Sequence, residues 1–278
     1  MSLGKRQRTV RREIVLSLLP VAVILVLFRV YPIITAIIKS FTNWDGLSRN
    51  DWVGVKNYAD LVSSGTFWLV LRNTLVLLIN VPLQVFVGLV VALLLYEQVK
   101  GWRVYRAVIY TPQIISAVII GFLFRTFFSL NGPVNAVLTA VGLEGLAIEW
   151  FGNAGTALGV LIFSIVWFSI GWQAIVILGG MSAIPPSVFE AARLDGATYW
   201  QRAFFIVVPM LVRTIEFAVL ASGVWTLTQL FPFLYSMTKG GPGFDTTTLD
   251  YLIYLRSFGF GFGSNYGYAS AVAVILLA

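Results

Sequence analysis

The sequence contains no cysteine and no histidine, and only 11% of its 278 residues are charged. The missing cysteine excludes disulfides and thiol nucleophiles, and the missing histidine excludes imidazole acid–base chemistry. Together they leave few ligands for a transition metal. Low charge beside 58% hydrophobic residues rules out a soluble protein of one or two domains. In its place stand several apolar runs longer than about 18 residues, the length that crosses a bilayer. The net charge of +7 is scattered through this apolar chain, so it reads as membrane topology and not as a nucleic-acid surface.

Apolar runs cover roughly 14–38, 68–95, 107–129, 154–181, 210–235 and 268–278. The first is too long for a signal peptide and lacks a small-residue cleavage site, so it reads as an uncleaved span. The last is too short to cross, at about 1.5 Å per residue against about 30 Å of hydrocarbon. The expectation is a six-helix, all-α polytopic membrane protein, one transmembrane domain over 1–278, whose sequence stops inside the sixth helix. With the N-terminus inside, the inner segments hold Lys5, Arg6, Arg8, Arg11, Arg12, Lys100, Arg103, Arg106, Arg193, Arg202 and Arg213, eleven cations. The outer ones hold seven: Lys39, Arg49, Lys56, Arg72, Arg125, Lys239 and Arg256. That excess favours a cytoplasmic N-terminus.

Between the fourth and fifth runs lies a polar interruption built like two helices, 182–208. Pro185-Pro186 ends the arriving helix, because proline lacks an amide donor and restricts the residue before it. Ser187 with Glu190 reads as a capping box, opening a helix over 188–194. Asp195-Gly196 ends it, with Gly196 suited to a left-handed position. Thr198 with Gln201 is a second capping box for a helix that runs to Pro209.

Inside the spans, ionisable groups are scarce. Glu216 follows Arg213 by three residues, which is explained by a local helix pair. Arg29 suits either contact with a second subunit or snorkelling to an interface. On the fifth run Ser222, Trp225, Thr226 and Gln229 share one helical face, and on the fourth Phe168, Ser169, Trp172 and Gln173 cluster. Such groups serve helix packing or an interfacial aromatic belt, or they line a path in which rings stack on sugar C–H faces while amides and hydroxyls pair with sugar hydroxyls.

Glu190-Ala191-Ala192, Asp195-Gly196-Ala197, Ile206 and Pro209 closely resemble the EAA loop of binding-protein-dependent ABC importer permeases. Val208 departs from the leucine usual before that proline. Further likenesses to the carbohydrate subfamily run along most of the chain: residues 27–41, 53–58 and 67–74, Gly132-Pro133-Val134-Asn135, and Thr238-Lys239-Gly240-Gly241-Pro242 with 246–254 and 267–270. The resemblance implies the type I ABC importer permease fold in a bacterial- or archaeal-type inner membrane. It implies ATPase coupling through Glu190, Ala191, Ala192, Asp195, Gly196 and Ala197. It also makes the polar and aromatic groups of the fourth and fifth spans a substrate path for a sugar, polyol or sugar phosphate.

No G-x-x-x-x-G-K-[ST] loop is present, so ATP and magnesium belong to a partner, and no cofactor or metal is expected on this chain. The implied partners are a second permease, two ATP-binding subunits and an extracytoplasmic solute-binding protein, besides membrane lipid. Two other readings stay open: a permease of the same superfamily for a non-sugar solute, and an ATPase-independent channel or carrier. The second is disfavoured by the near absence of intramembrane carboxylates.

Overall fold

The computed structural model describes the backbone of residues 3–96, 100–259 and 264–278, with side chains from residue 13 onward. The basic cluster Lys5, Arg6, Arg8, Arg11 and Arg12, expected to hold the N-terminus inside, therefore has its side chains outside the described residues. Among the described residues the only β-type pairing is an isolated bridge between Thr42 and Trp52; the rest is helix and turn. The fold is all-α. The chain divides into two units, 1–64 with 253–278, and 65–252.

In the first unit α1 (Leu3–Leu25), a π-helical turn (Val26–Val30) and α2 (Tyr31–Lys39) follow one another. From Glu13 to Lys39 they form a 27-residue apolar segment, long enough to span, none of which is buried within the chain. Arg29 is exposed on the π turn. That turn has a sequence cause. Pro32 has no amide to donate and its ring crowds the carbonyl one turn back, and widening the helix by one residue relieves both. After α2 the Asn43–Gly46 turn signal holds: the Asp45 carboxylate accepts from the amides of Leu47, Ser48 and Arg49, and Gly46 takes φ +88°. The Leu47 amide, first among these donors, holds the Asp45 carboxyl below the usual carboxylate range. In α3 (Lys56–Ser63) the buried Asn57 side chain donates to the carbonyls of Ser40 and Thr42, both at 2.8 Å.

The second unit begins with α4 (Gly65–Leu77) and α5 (Asn80–Tyr96), which together give a 32-residue candidate span. Then come α6 (Trp102–Ile114), α7 (Ala117–Phe127), α8 (Pro133–Ala140) and α9 (Ala154–Met181), the last a 28-residue candidate span. Asn153 caps α9, its side chain accepting from the Thr156 amide at 3.0 Å. After α9 come α10 (Pro186–Leu194), α11 (Tyr199–Arg202), a π-helical stretch (Ala203–Val207), α12 (Val208–Met210), α13 (Val212–Thr228) and α14 (Phe231–Met237). In α15 (Leu249–Phe258) residues 249–252 belong to this unit. The first unit resumes at 253 and contains α16 (Tyr266–Leu277), a 12-residue apolar helix that packs on α2 and α3.

Among the described residues three helices are thus long and apolar enough to span, or up to five if each bent pair counts as one. The expected third run, 107–129, is two helices bent by 97° at the break after Ile114. Pro112 lies just before that break, and Ile115 is extended there. The expected fifth run, 210–235, is also interrupted. Its helix begins at Val212 after a 71° bend and stops at Thr228, and α14 opens with Pro232 in its first turn.

At the centre of this unit α9 packs against α5, α6, α7, α13 and α14. Glycines permit the closest approaches. A Cβ on Gly88 of α5 would lie 2.3 Å from Cβ of Gln173, and one on Gly171 would lie 2.7 Å from the Ile109 carbonyl of α6. Gly180 meets Thr214 of α13 at 2.5 Å in the same sense. Between helices in lipid, van der Waals contact replaces the hydrophobic drive, so small residues mark the tight seams.

Candidate functional site

The hairpin forms from local signals. α10 does not start with a Ser187 cap: Pro185 is the N-cap, Pro186 is the first helical residue, and no side chain caps the end. Proline is preorganised for that first position and loses no bond there, so the helix opens two residues before the expected 188. The far end matches expectation. The Gly196 amide donates to the Arg193 carbonyl at 3.1 Å and the Ala197 amide to the Ala192 carbonyl at 3.0 Å, a Schellman closure with Gly196 at φ +75°. Thr198 then caps α11 in a full capping box with Gln201. The Arg202 guanidinium donates to the Ala197 carbonyl at 2.9 Å, tying the second helix to the elbow. Pro209 does not end that helix, which widens into π geometry over Ala203–Val207 and continues to Met210, the device already seen before Pro32.

Of the six hairpin residues, Glu190, Ala191, Asp195 and Gly196 are exposed, Ala197 is half-buried and Ala192 is buried. Beside them Leu194 stands 89% exposed at the elbow. The inner face is rooted. Ile184, Ala203 and Val207 are buried with Leu89 and Leu93 of α5 and Ile177 and Met181 of α9, and Phe189 lies 5.2 Å from the Tyr96 ring.

Further along the same helices is a cavity of about 200 Å³. It is lined by Phe168, Ser169 and Trp172 of α9 and by Ala221, Ser222 and Trp225 of α13. Gln84 of α5 and Gln113 of α6 complete the wall. Five of the eight expected path residues therefore converge: Phe168, Ser169, Trp172, Ser222 and Trp225. The rings of Phe168 and Trp225 stack at 6.2 Å, and Phe233 of α14 meets Phe168 edge-on at 5.3 Å.

The other three lie elsewhere. Gln173 is fully buried and donates to the Ser222 hydroxyl, which donates in turn to the Ala218 carbonyl at 2.7 Å. Thr226 is buried and donates to Asn80 Oδ1 at 3.2 Å. Gln229 falls just past the end of α13, exposed. Sequence reasoning missed Gln84, Gln113 and Asn80. Asn80 and Gln84 stand one turn apart in an apolar run, and that i, i+4 polar pair was the available signal.

The Glu216 carboxylate meets Arg213 at 3.2 Å with both side chains exposed, the expected local pair. The Thr238–Pro242 element folds into a braced turn. The Thr246 hydroxyl donates to the Gly241 carbonyl at 2.8 Å, and Asn73 donates to the carbonyls of Phe244 and Thr247 at 3.0 and 3.2 Å. Next to it Asp250 is half-buried, and desolvation of its carboxyl raises it above the usual range despite bonds from the Thr248 hydroxyl and the Tyr251 amide. Among the described residues no cluster of acidic side chains could hold a metal ion.

Comparison with known proteins places the scaffold that carries this hairpin and cavity among membrane permeases. Residues 84–278 match the model of the binding-protein-dependent transport system inner membrane component. The chain is 30% identical over 262 residues to the lactose transport system permease protein LacF of Rhizobium radiobacter, covering 93% of this chain and 87% of that one. It is 35% identical over 251 residues to the sulfoquinovosyl glycerol transport system permease protein SmoG of Agrobacterium fabrum, covering 88% and 80%. A crystal structure of a bacterial ABC transporter involved in the import of the acidic polysaccharide alginate superposes with a TM-score of 0.81 at 26% identity, over 98% of this chain and 94% of that one. The chain belongs to the family of binding-protein-dependent inner-membrane permeases. It is a transport component of an ABC transporter and not a catalytic chain.

Proposed function

We propose that this chain is one half of the translocation pathway of a sugar-importing ABC transporter, with the hairpin 182–208 as its ATPase-coupling element. The observation that carries the reading is the hairpin itself, its elbow closed by the Gly196 and Ala197 amides and by the Thr198–Gln201 capping box, with Leu194 and Asp195 held out at the tip. A leucine held out on a closed elbow offers an apolar contact to a partner surface. A separate ATP-binding subunit on the cytoplasmic side supplies one. Because the inner face shares a core with α5 and α9, displacement of the elbow moves two of the four helices that line the cavity.

The whole chain 1–278 acts as one permease domain with six spans and a cytoplasmic N-terminus; α16 contributes to the sixth. A second permease completes the pathway, two ATP-binding subunits drive it with ATP and magnesium, and an extracytoplasmic binding protein delivers the solute. The solute is a sugar or a related polyol, as the lactose and sulfoquinovosyl glycerol relatives suggest. Trp172 and Trp225 stack on it while Ser169 and Ser222 face its hydroxyls. Thr226, Gln173 and Gln229 act behind or beside that surface.

The test is Gly196→Asp in the assembled transporter. At φ +75° a side chain strains the elbow, although the space around it is open. Uptake is expected to fall at least about tenfold, with ATP hydrolysis either lost or no longer stimulated by the loaded binding protein. Normal stimulated uptake by this variant would sink the coupling role.

A further inference from the structure

The polar side chains around the cavity are not free to turn. Asn80, fully buried at the first residue of α5, donates through its amide nitrogen to the Leu77 carbonyl. A backbone carbonyl only accepts, so this bond fixes Oδ1 of Asn80 as an acceptor. Gln84 must then present its amide nitrogen to that oxygen, which it does at 2.7 Å, while the Thr226 hydroxyl donates to the same atom. The oxygen of Gln84 is left for the cavity that this residue lines. A second chain runs the same way. The Ser222 hydroxyl is committed to the Ala218 carbonyl, so Gln173 must donate to it, and Oε1 of Gln173 is left buried with no partner. Oε1 of Gln113, on the facing wall, is also buried without one.

We infer that Asn80 is a positioning residue which turns Gln84 so that it offers its carbonyl oxygen to the cavity, making a site for neutral, hydroxyl-rich solutes that discriminates against anionic ones. The inference rests on the sugar-path reading above. A sugar hydroxyl donates to that oxygen. A carboxylate or phosphate oxygen only accepts, so it meets this carbonyl with like polarity while losing its hydration. No cationic side chain lines the described cavity to offset that cost, and its remaining donors, two indole N–H groups, the Ser169 hydroxyl and the Gln113 amide, are neutral.

The test uses the complete complex, permease pair with ATP-binding subunits, in lipid nanodiscs without the binding protein. Equilibrium dialysis measures Kd for radiolabelled lactose, maltose and cellobiose, each beside a derivative with one C6 hydroxymethyl oxidised to a carboxylate. Neutral sugars are expected to bind at least about tenfold more tightly than their oxidised partners, the scale of one unpaired buried polar group. Gln84→Lys places a cationic donor on the wall and should reverse the order. Asn80→Leu frees Gln84 to rotate and should shrink the preference, while melting of the variant complex reports whether it has kept its fold. Oxidised sugars binding as tightly as neutral ones, or an unchanged order in Gln84→Lys, would overturn the inference. Trp172→Ala separates the two levels. If it weakens binding but no neutral preference exists, only the acceptor argument falls. If it leaves all six constants unchanged, or if none of the six binds, the cavity is not the path and both readings fall.

Discussion

The hairpin and the cavity share two helices but are held together in opposite ways. The bonds that close the hairpin's elbow are local: the Schellman closure, the Thr198–Gln201 box and the Arg202–Ala197 bond all join residues within five positions of each other. The cavity is fixed by bonds across long separations, such as Thr226 to Asn80, and by glycine seams between helices. A locally closed element keeps its shape while it is displaced. A site assembled from four helices changes shape when any one of them moves. The difference suits a device in which one part is pushed and the other must open.

That comparison can be broken by mutation, and the largest effect belongs to the seams. Gly88→Leu forces a side chain into Gln173 and cannot be absorbed by rotamer change. Yield of assembled complex should collapse, and normal yield would show that the seam is softer than its geometry. Trp172→Ala comes next: KM for uptake should rise about tenfold, in line with loss of one aromatic contact, with binding-protein-independent ATP hydrolysis unchanged. A change confined to hydrolysis would reverse the roles assigned to cavity and hairpin. Thr198→Ala removes a cap worth about 1 kcal/mol and should raise amide exchange over 199–202, leaving solute affinity alone.

The smallest effect concerns Asp250, which belongs to neither region. Burial raises its folded-state pKa, so the folded chain holds this proton more tightly than the unfolded one. The penalty is full above the raised folded pKa and fades as pH falls through it toward the unfolded value. The Tm of Asp250→Asn minus that of the unaltered protein should therefore be positive at high pH and shrink on acidification. A difference constant with pH would remove the buried charge as its cause.

The same contrast explains what could be read in advance. Gly196 and the Thr198 cap were legible because each is decided by its neighbours in sequence. Ser187 was misread for a related reason: Ser-x-x-Glu fits a capping box, but the adjacent proline had already started the helix. Helical periodicity picked out Ser222, Trp225 and Thr226 on one face, then overran to Gln229 because Pro232 forces the break just before it. Gln113 is an isolated amide in an apolar run and Gln84 has only Asn80 one turn away, and only packing brings both to Trp172. The bends at 71° and 97° likewise depend on how proline-weakened segments are accommodated by their neighbours, which no local pattern states.

The glycines of α9 carry one more implication. At Gly171 backbone lies directly against the backbone of α6, and at Gly180 and Gly88 it lies directly against the side chains of Thr214 and Gln173. Such a shaft can neither roll nor flex without carrying its companions along. Slack must therefore gather where the rods are already broken, at Ile115 and Leu211, and these are the joints at which a gate would swing.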